Sequence, residues 1–146
     1  MAYELIKAGV DDLGLVYDFE LCSIEEIEPM QVECWKNAEP ALRRQWTENL
    51  DRMYFLKDGE KVLGYFFWQI EGESAVLASI FVPKECRGNG LGQQLLKAFE
   101  EDAKTQGFEV VELSVFETNP ARFLYEKAMY EYVETRNSYR YYRKYL

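Results

Sequence analysis

Histidine is absent from this chain of 146 residues. Imidazole zinc sites, blue-copper centres and His-based nucleophile triads therefore each lose a required member. The three cysteines, Cys22, Cys34 and Cys86, are odd in number, far apart and without a Cys-x-x-Cys pair, so no disulfide framework or cysteine knuckle is expected. Residue types alone leave a carboxylate Mg²⁺ site open, but no motif marks one and no metal is expected. Positive charge is also scarce, with 17 Lys and Arg against 26 Asp and Glu and a net charge of −9. A field of that sign repels polyanions, which argues against nucleic acid and anionic membrane as partners and favours a cationic one. No apolar run is long enough to cross a bilayer, and Met-Ala-Tyr-Glu-Leu-Ile-Lys at the start lacks the basic and apolar parts of a secretory signal. Cytoplasmic residence is the expectation. What is abundant is apolar surface: 48% hydrophobic and 16% aromatic residues suffice for a packed core, and the length suits one domain over residues 1–146.

The most informative stretch is Val82-Pro83-Lys84-Glu85-Cys86-Arg87-Gly88-Asn89-Gly90-Leu91-Gly92. It joins an apolar, strand-like run (Ala75 to Val82) to a helical one (Leu91 to Gln106). Glycines at 88, 90 and 92 permit backbone angles closed to other residues and let main-chain N–H groups approach a ligand. The helix that follows contributes unpaired N–H groups and the positive end of its dipole, so the junction is an anion cradle. Lys84 and Arg87 add charge beside it. A P-loop is excluded because Gln93 and Gln94 follow Gly92 where Lys and Ser/Thr are needed. The dinucleotide fingerprint fails as well, since its third glycine would fall on Gln93 or Leu95.

Around this junction the pattern predicts a strand near Tyr3 to Lys7, then helices carrying Leu13, Val16, Tyr17 and Leu21, and later Leu42, Trp46 and Leu50. Ser23-Ile24-Glu25-Glu26 reads as a capping box opening a further short helix. Tyr54 to Lys57 and Lys61 to Ile70 form a hairpin about Asp58-Gly59, and Ala75 to Val82 completes a three-stranded meander. After the helix, with Gly107 at its C-terminal cap, Phe108 to Phe116 shows apolar residues on both parities, as an interior strand buried on two faces would. Strand, helix, strand from 75 to 116 reads as a crossover between parallel strands. Asn119-Pro120 opens a short helix bearing Tyr125, with Asn119 as its cap. A closing hairpin surrounds Arg136-Asn137-Ser138.

Two blocks resemble the GNAT superfamily of N-acetyltransferases: Val82 to Gly92, and Asn119-Pro120-Ala121-Arg122-Phe123-Leu124-Tyr125-Glu126-Lys127. The element order is similar over essentially the whole chain. The resemblance implies a single-domain α/β (α+β) fold with a mixed, mostly antiparallel sheet of six or seven strands flanked by helices. It implies acetyl-CoA as cosubstrate: the main chain of Ile80, Phe81 and Val82 pairs with the pantetheine amides, and Arg87, Gly88, Asn89, Gly90, Leu91 and Gly92 hold the pyrophosphate. Asn119 and Tyr125 complete the site near the thioester, Tyr125 as proton donor to the leaving thiolate. One departure stands out, since Met129-Tyr130 occupies the position of the family's usual Gly-Phe.

The implied reaction is acetyl transfer to a primary amine of a small molecule or a protein; the alternative is a non-catalytic acyl-CoA-binding regulatory or interaction module. The acceptor is expected to be cationic, and a homodimer is compatible with the chain. A lysine-like amine of pKa about 10.4 is some three units, about 4 kcal/mol, from its nucleophilic form near pH 7.4. A base is therefore wanted, and the residues leave it open. In the ribosomal-protein N-terminal acetyltransferases that this segment resembles, an acid on the fifth strand serves, and the matching position here is Ser114. Glu112, the cluster Glu20, Glu25, Glu26, Glu28 and Glu33, and a water chain all stay as candidates. The same cluster also reads as an electrostatic funnel for an amine or as a solvated face.

Overall fold

The computed structural model describes residues 3–146. Residues 1 and 2, which begin the expected N-terminal stretch and the expected 1–146 domain, lie outside the described residues. Seven strands form one sheet: β1 (Glu4–Lys7), β2 (Met53–Asp58), β3 (Lys61–Glu71), β4 (Ser74–Phe81), β5 (Val110–Phe116), β6 (Glu131–Arg136) and β7 (Tyr139–Tyr145). Their spatial order is β1-β2-β3-β4-β5-β7-β6. Only the β4–β5 pair is parallel, so the sheet is mixed and mostly antiparallel, as expected. Among the described residues five α-helices flank it: α1 (Leu13–Ile27), α2 (Val32–Asn37), α3 (Glu39–Glu48), α4 (Leu91–Thr105) and α5 (Arg122–Lys127). None is long and apolar enough among the described residues to cross a membrane.

Alternation along β3 explains the two-layered core. Phe66 and Trp68 point to the face covered by α4, where Leu95, Leu96, Phe99 and Ala103 bury the helix's apolar stripe. Tyr65 and Phe67 point to the opposite face, against Val16 of α1 and Trp46 of α3. Full burial of each such side chain is worth roughly 1.5–3 kcal/mol. The strand buried on both faces is therefore β3, not β5 as the apolar pattern predicts. In β5 only Val111, Leu113 and Val115 are buried, because α4 covers one face while the other borders the candidate site.

Three local expectations are corrected. The box at Ser23 to Glu26 opens no helix and lies inside α1, since Leu21, Ile24 and Ile27 continue the helical spacing and nothing breaks it before Pro29. Leu50 falls beyond α3, in a 3₁₀ turn. Asn119 does not cap α5, which starts at Arg122; its Oδ1 instead accepts the Ala121 N–H at 2.9 Å and shapes the preceding turn.

The turn after α5 is closed by a main-chain hydrogen bond with Met129 inside it. Tyr130 N–H donates to the Tyr125 carbonyl at 3.0 Å, and Met129 adopts a left-handed φ of 73° with its side chain exposed. That conformation costs a non-glycine residue about 1–2 kcal/mol, whereas glycine would add about 0.4–1 kcal/mol of unfolded-state entropy. Met129→Gly should therefore raise stability by about 0.5–1 kcal/mol, read as a higher urea midpoint at unchanged slope; a lower midpoint would contradict the strain.

Candidate active site

The sheet opens in its middle. Parallel pairing of β4 with β5 covers only Ser74–Leu77 against Val110–Leu113, while pairing of β4 with β3 continues to Phe81. Register on the β3 side skips from Leu77↔Trp68 to Ser79↔Phe67, leaving Ala78 as the extra residue of a bulge. A bulge bends its strand and strengthens the local twist, and here it falls at the end of the parallel pairing. From Ala78 to Phe81 the β5-facing main-chain groups of β4 have no ladder partner in β5.

The glycine loop closes one end of this opening. Gly88 and Gly90 have φ of 86° and 75°, and a Cβ built on either would meet nothing within 4 Å. Glycine is needed there for the angle, and the space alongside is open. Gly90 is the N-terminal cap of α4, so the first N–H groups of that helix face outward unpaired. A cavity of about 540 Å³ adjoins them. Of the residues expected to bind the cofactor, Ile80, Phe81, Val82, Arg87, Gly88, Gly90, Leu91, Gly92 and Asn119 line it, together with Tyr125. Asn89 does not; its Nδ2 donates to the Cys86 carbonyl at 3.3 Å. Lys84 also stays outside the lining, in the short turn Lys84–Cys86.

Arg87 has a second task that its sequence neighbours do not announce. Its Nε donates to the Val82 carbonyl, and Nη1 and Nη2 donate to the two carboxylate oxygens of Glu26, all at 2.8 Å. This ties the end of α1 to the loop. The paired guanidinium holds the Glu26 carboxyl below its ordinary 4.5. Three of its five N–H donors are engaged in this way, and main-chain N–H groups of the loop and of the start of α4 supply the other donors of the cradle.

A second cavity, of about 210 Å³, lies in the split between β4 and β5 and shares Ser23, Ile27, Ile80, Asn119 and Tyr125 with the first. Tyr125 thus stands where the two meet. It is buried, and that burial alone pushes its hydroxyl well above the ordinary tyrosine value of 10.0. It stays a neutral donor throughout the accessible pH range. Of the expected base candidates, Glu20 and Glu28 border this second cavity, as does Ser114. Glu112 is paired with Arg143 at 3.0 Å, on the strand but outside the lining. Glu20 accepts a hydrogen bond from Tyr65 of β3, whose hydroxyl lies 2.9 Å from Ser79 Oγ of β4. Glu28, just past α1, accepts one from Tyr139 of β7. Neither tyrosine is singled out by any sequence pattern, because each is one of 11 in the chain.

Sheet, split and glycine cradle together fit the class of acyl-transfer enzymes. The chain belongs to the acetyltransferase (GNAT) family, whose profile matches residues 20–129. It is 26% identical over 130 residues, 87% of this chain and 88% of the relative, to a [ribosomal protein bS18]-alanine N-acetyltransferase of Haemophilus influenzae. Identity is 25% over 116 residues, 76% of this chain and 74% of the relative, to an uncharacterized N-acetyltransferase of Methanocaldococcus jannaschii. Among solved structures, a PaiA N-acetyltransferase of Thermoplasma acidophilum in complex with coenzyme A aligns over 100% of both chains, at 19% identity and a TM-score of 0.86.

The Arg87–Glu26 pair is about 40% exposed on both sides, so its contribution should not exceed about 1 kcal/mol. With the folded-state pKa of Glu26 depressed, that contribution is present above the unfolded value and is lost as pH falls through the folded one. Glu26→Gln should therefore lower stability slightly at pH 7 and match the wild type at an acidic pH below the folded-state value of Glu26. Chemical denaturation at both pH values tests this; a deficit persisting in acid would mean that packing, not charge, is lost.

Proposed function

We propose that the protein transfers an acetyl group from acetyl-CoA to a cationic primary amine. The observation that carries this reading is the split between β4 and β5, with one cavity leading to the glycine cradle, another lined by carboxylates, and Tyr125 at their junction. The residues present fit the donor. The unpaired edge of β4 at Ile80 and Phe81, continued by Val82 just past the strand, offers main-chain groups to the pantetheine amides, as an added strand would find. Residues 87 to 92 and the start of α4 suit a pyrophosphate, and Asn119 borders the same cavity. Bound acetyl-CoA supplies the thioester whose acetyl carbon the amine attacks. The β5-facing N–H groups of β4 at the bulge are positioned to stabilise charge on the carbonyl oxygen. Tyr125 holds a proton for the sulfur.

A net charge of −9 and the carboxylates of Glu20 and Glu28 favour an ammonium as the arriving group. The bS18-alanine activity of the Haemophilus influenzae relative makes a peptide N-terminus the first acceptor to try. Its α-amine, of pKa about 7.7–8.0, also needs far less deprotonation than a lysine-like amine.

The test is release of free CoA thiol from acetyl-CoA with peptides, polyamines, aminoglycosides and small amines. Release above background with at least one amine supports the reading, and none with any of them overturns it. Gly90→Val, which places a side chain at φ 75°, should abolish the CoA-induced rise in melting temperature while the variant remains folded by circular dichroism. Tyr125→Phe should leave acetyl-CoA affinity within a fewfold and lower kcat by roughly 10²- to 10⁴-fold. Because burial keeps Tyr125 neutral, the wild type should show no alkaline loss attributable to it below about pH 10. A Phe variant with wild-type kcat, chemistry being rate-limiting, would make Tyr125 a packing residue only.

A further inference from the structure

We propose that Glu20 is the general base of the transfer, taking the acceptor's proton inside the split sheet while Tyr65 and Ser79 hold its carboxylate in place; this rests on the acetyl-transfer reading above. Deprotonation needs an ionisable acceptor of protons within hydrogen-bond reach of the amine, directly or through one water. The groups that titrate around the second cavity are Glu20 and Glu28 from α1 and its end, Tyr125 from α5 and Tyr139 from β7, with Tyr65 of β3 behind Glu20. The tyrosines are donors near neutrality, and Ser79 and Ser114 do not ionise there. That leaves two carboxylates.

Their surroundings separate them. Glu20 rises from the middle of α1 and is linked through Tyr65 to Ser79, the residue before Ile80 on the strand whose edge would carry the thioester arm. Tyr65 has one proton and gives it to Glu20, so Ser79 is the donor in the 2.9 Å contact. The chain of hydroxyls holds one carboxylate oxygen of a side chain that borders the cavity. Glu28 instead follows the last turn of α1 and is engaged by Tyr139 at the hairpin side. Burial also raises the Glu20 carboxyl above its ordinary 4.5, against the opposing pull of the Tyr65 hydroxyl, which makes it a stronger base than an ordinary solvated carboxylate. A cavity of 210 Å³ has room for an amine and a bridging water, whose share of liquid volume is about 30 Å³.

The protons balance as follows. Glu20 takes one from the ammonium and later yields it to solvent. The freed lone pair forms the C–N bond as the C–S bond breaks. The sulfur departs with that bond's electron pair and gains the Tyr125 proton, and the second proton shed by the nitrogen restores Tyr125.

Glu20→Gln keeps shape and the carbonyl that accepts from Tyr65 but cannot take a proton. With the best amine found, it should lower kcat by 10²- to 10⁴-fold, abolish the acidic limb of the wild-type profile, and leave the CoA-induced melting shift intact. An acid whose folded pKa is raised costs stability once pH exceeds it, so the variant should melt at or above the wild-type temperature at pH 8. Tyr65→Phe, a test of positioning, should displace the acidic limb upward with a smaller loss of kcat. Should Glu20→Gln fail to fold, Glu20→Asp must retain an acidic limb at a reduced rate. An active wild type whose Gln variant keeps both kcat and limb overturns Glu20 alone. Failure of the wild type with every amine overturns acetyl transfer, and Glu20's role with it.

Discussion

Between Ala78 and Phe81, β4 keeps its partner on one side and loses it on the other. Every feature of the candidate site depends on that half-paired stretch. Had β4 and β5 stayed together beyond Leu77 and Leu113, their main-chain groups would be consumed by the ladder and no cavity would reach the sheet's interior. Exposed strand edges are ordinarily a liability. Here the edge is sheltered inside the molecule, with α1 above it and α5 beside it, so a ligand can pair with it and a second protein strand cannot easily enter.

Charge and burial then divide the opening in two. Toward α4 the cradle is built from main-chain donors, and the nearby Arg87 is held by Glu26. Toward β7 the lining is carboxylate and hydroxyl, from Glu20, Glu28, Ser79, Ser114 and Tyr139. An anion suits the first and a cation the second, and Tyr125 separates them. Burial raises both Tyr65 and Tyr125, so each hydroxyl remains a donor. In a chain without histidine, burial of a carboxyl, as at Glu20, is a physical route to a proton acceptor shifted toward neutral pH.

The helix α1 has the largest share in this arrangement relative to its sequence signal. It supplies Glu20 to the split, Ser23 and Ile27 to both cavities, and Glu26 to the loop. Read as sequence, this helix and the residues after it offer five glutamates over residues 20 to 33 with nothing to rank them. Once α1 is seated on the sheet, helical geometry sorts its own three by direction: Glu20 points to the split, Glu26 to the loop, and Glu25 lines neither cavity; Glu28 just past its end borders the split, and Glu33 of α2 lines neither cavity.

What the sequence by itself determined was local. The glycine loop, the amphipathic α4 with Gly107 after it, the turns at Asp58-Gly59 and Asn137-Ser138, and the short helix bearing Tyr125 all follow from spacing and backbone preference within a few residues. Positive φ at Asn137 and Ser138 and at Gly59 agrees with those readings. The tertiary structure alone decided where β4 parts from β5, since Ala78 carries no mark of a bulge. It alone decided that Glu20 meets Tyr65, Arg87 meets Glu26 and Tyr139 meets Glu28, pairs separated by 45, 61 and 111 residues. Such contacts depend on how helix and sheet faces are brought together in three dimensions, and no periodicity along the chain encodes that distance.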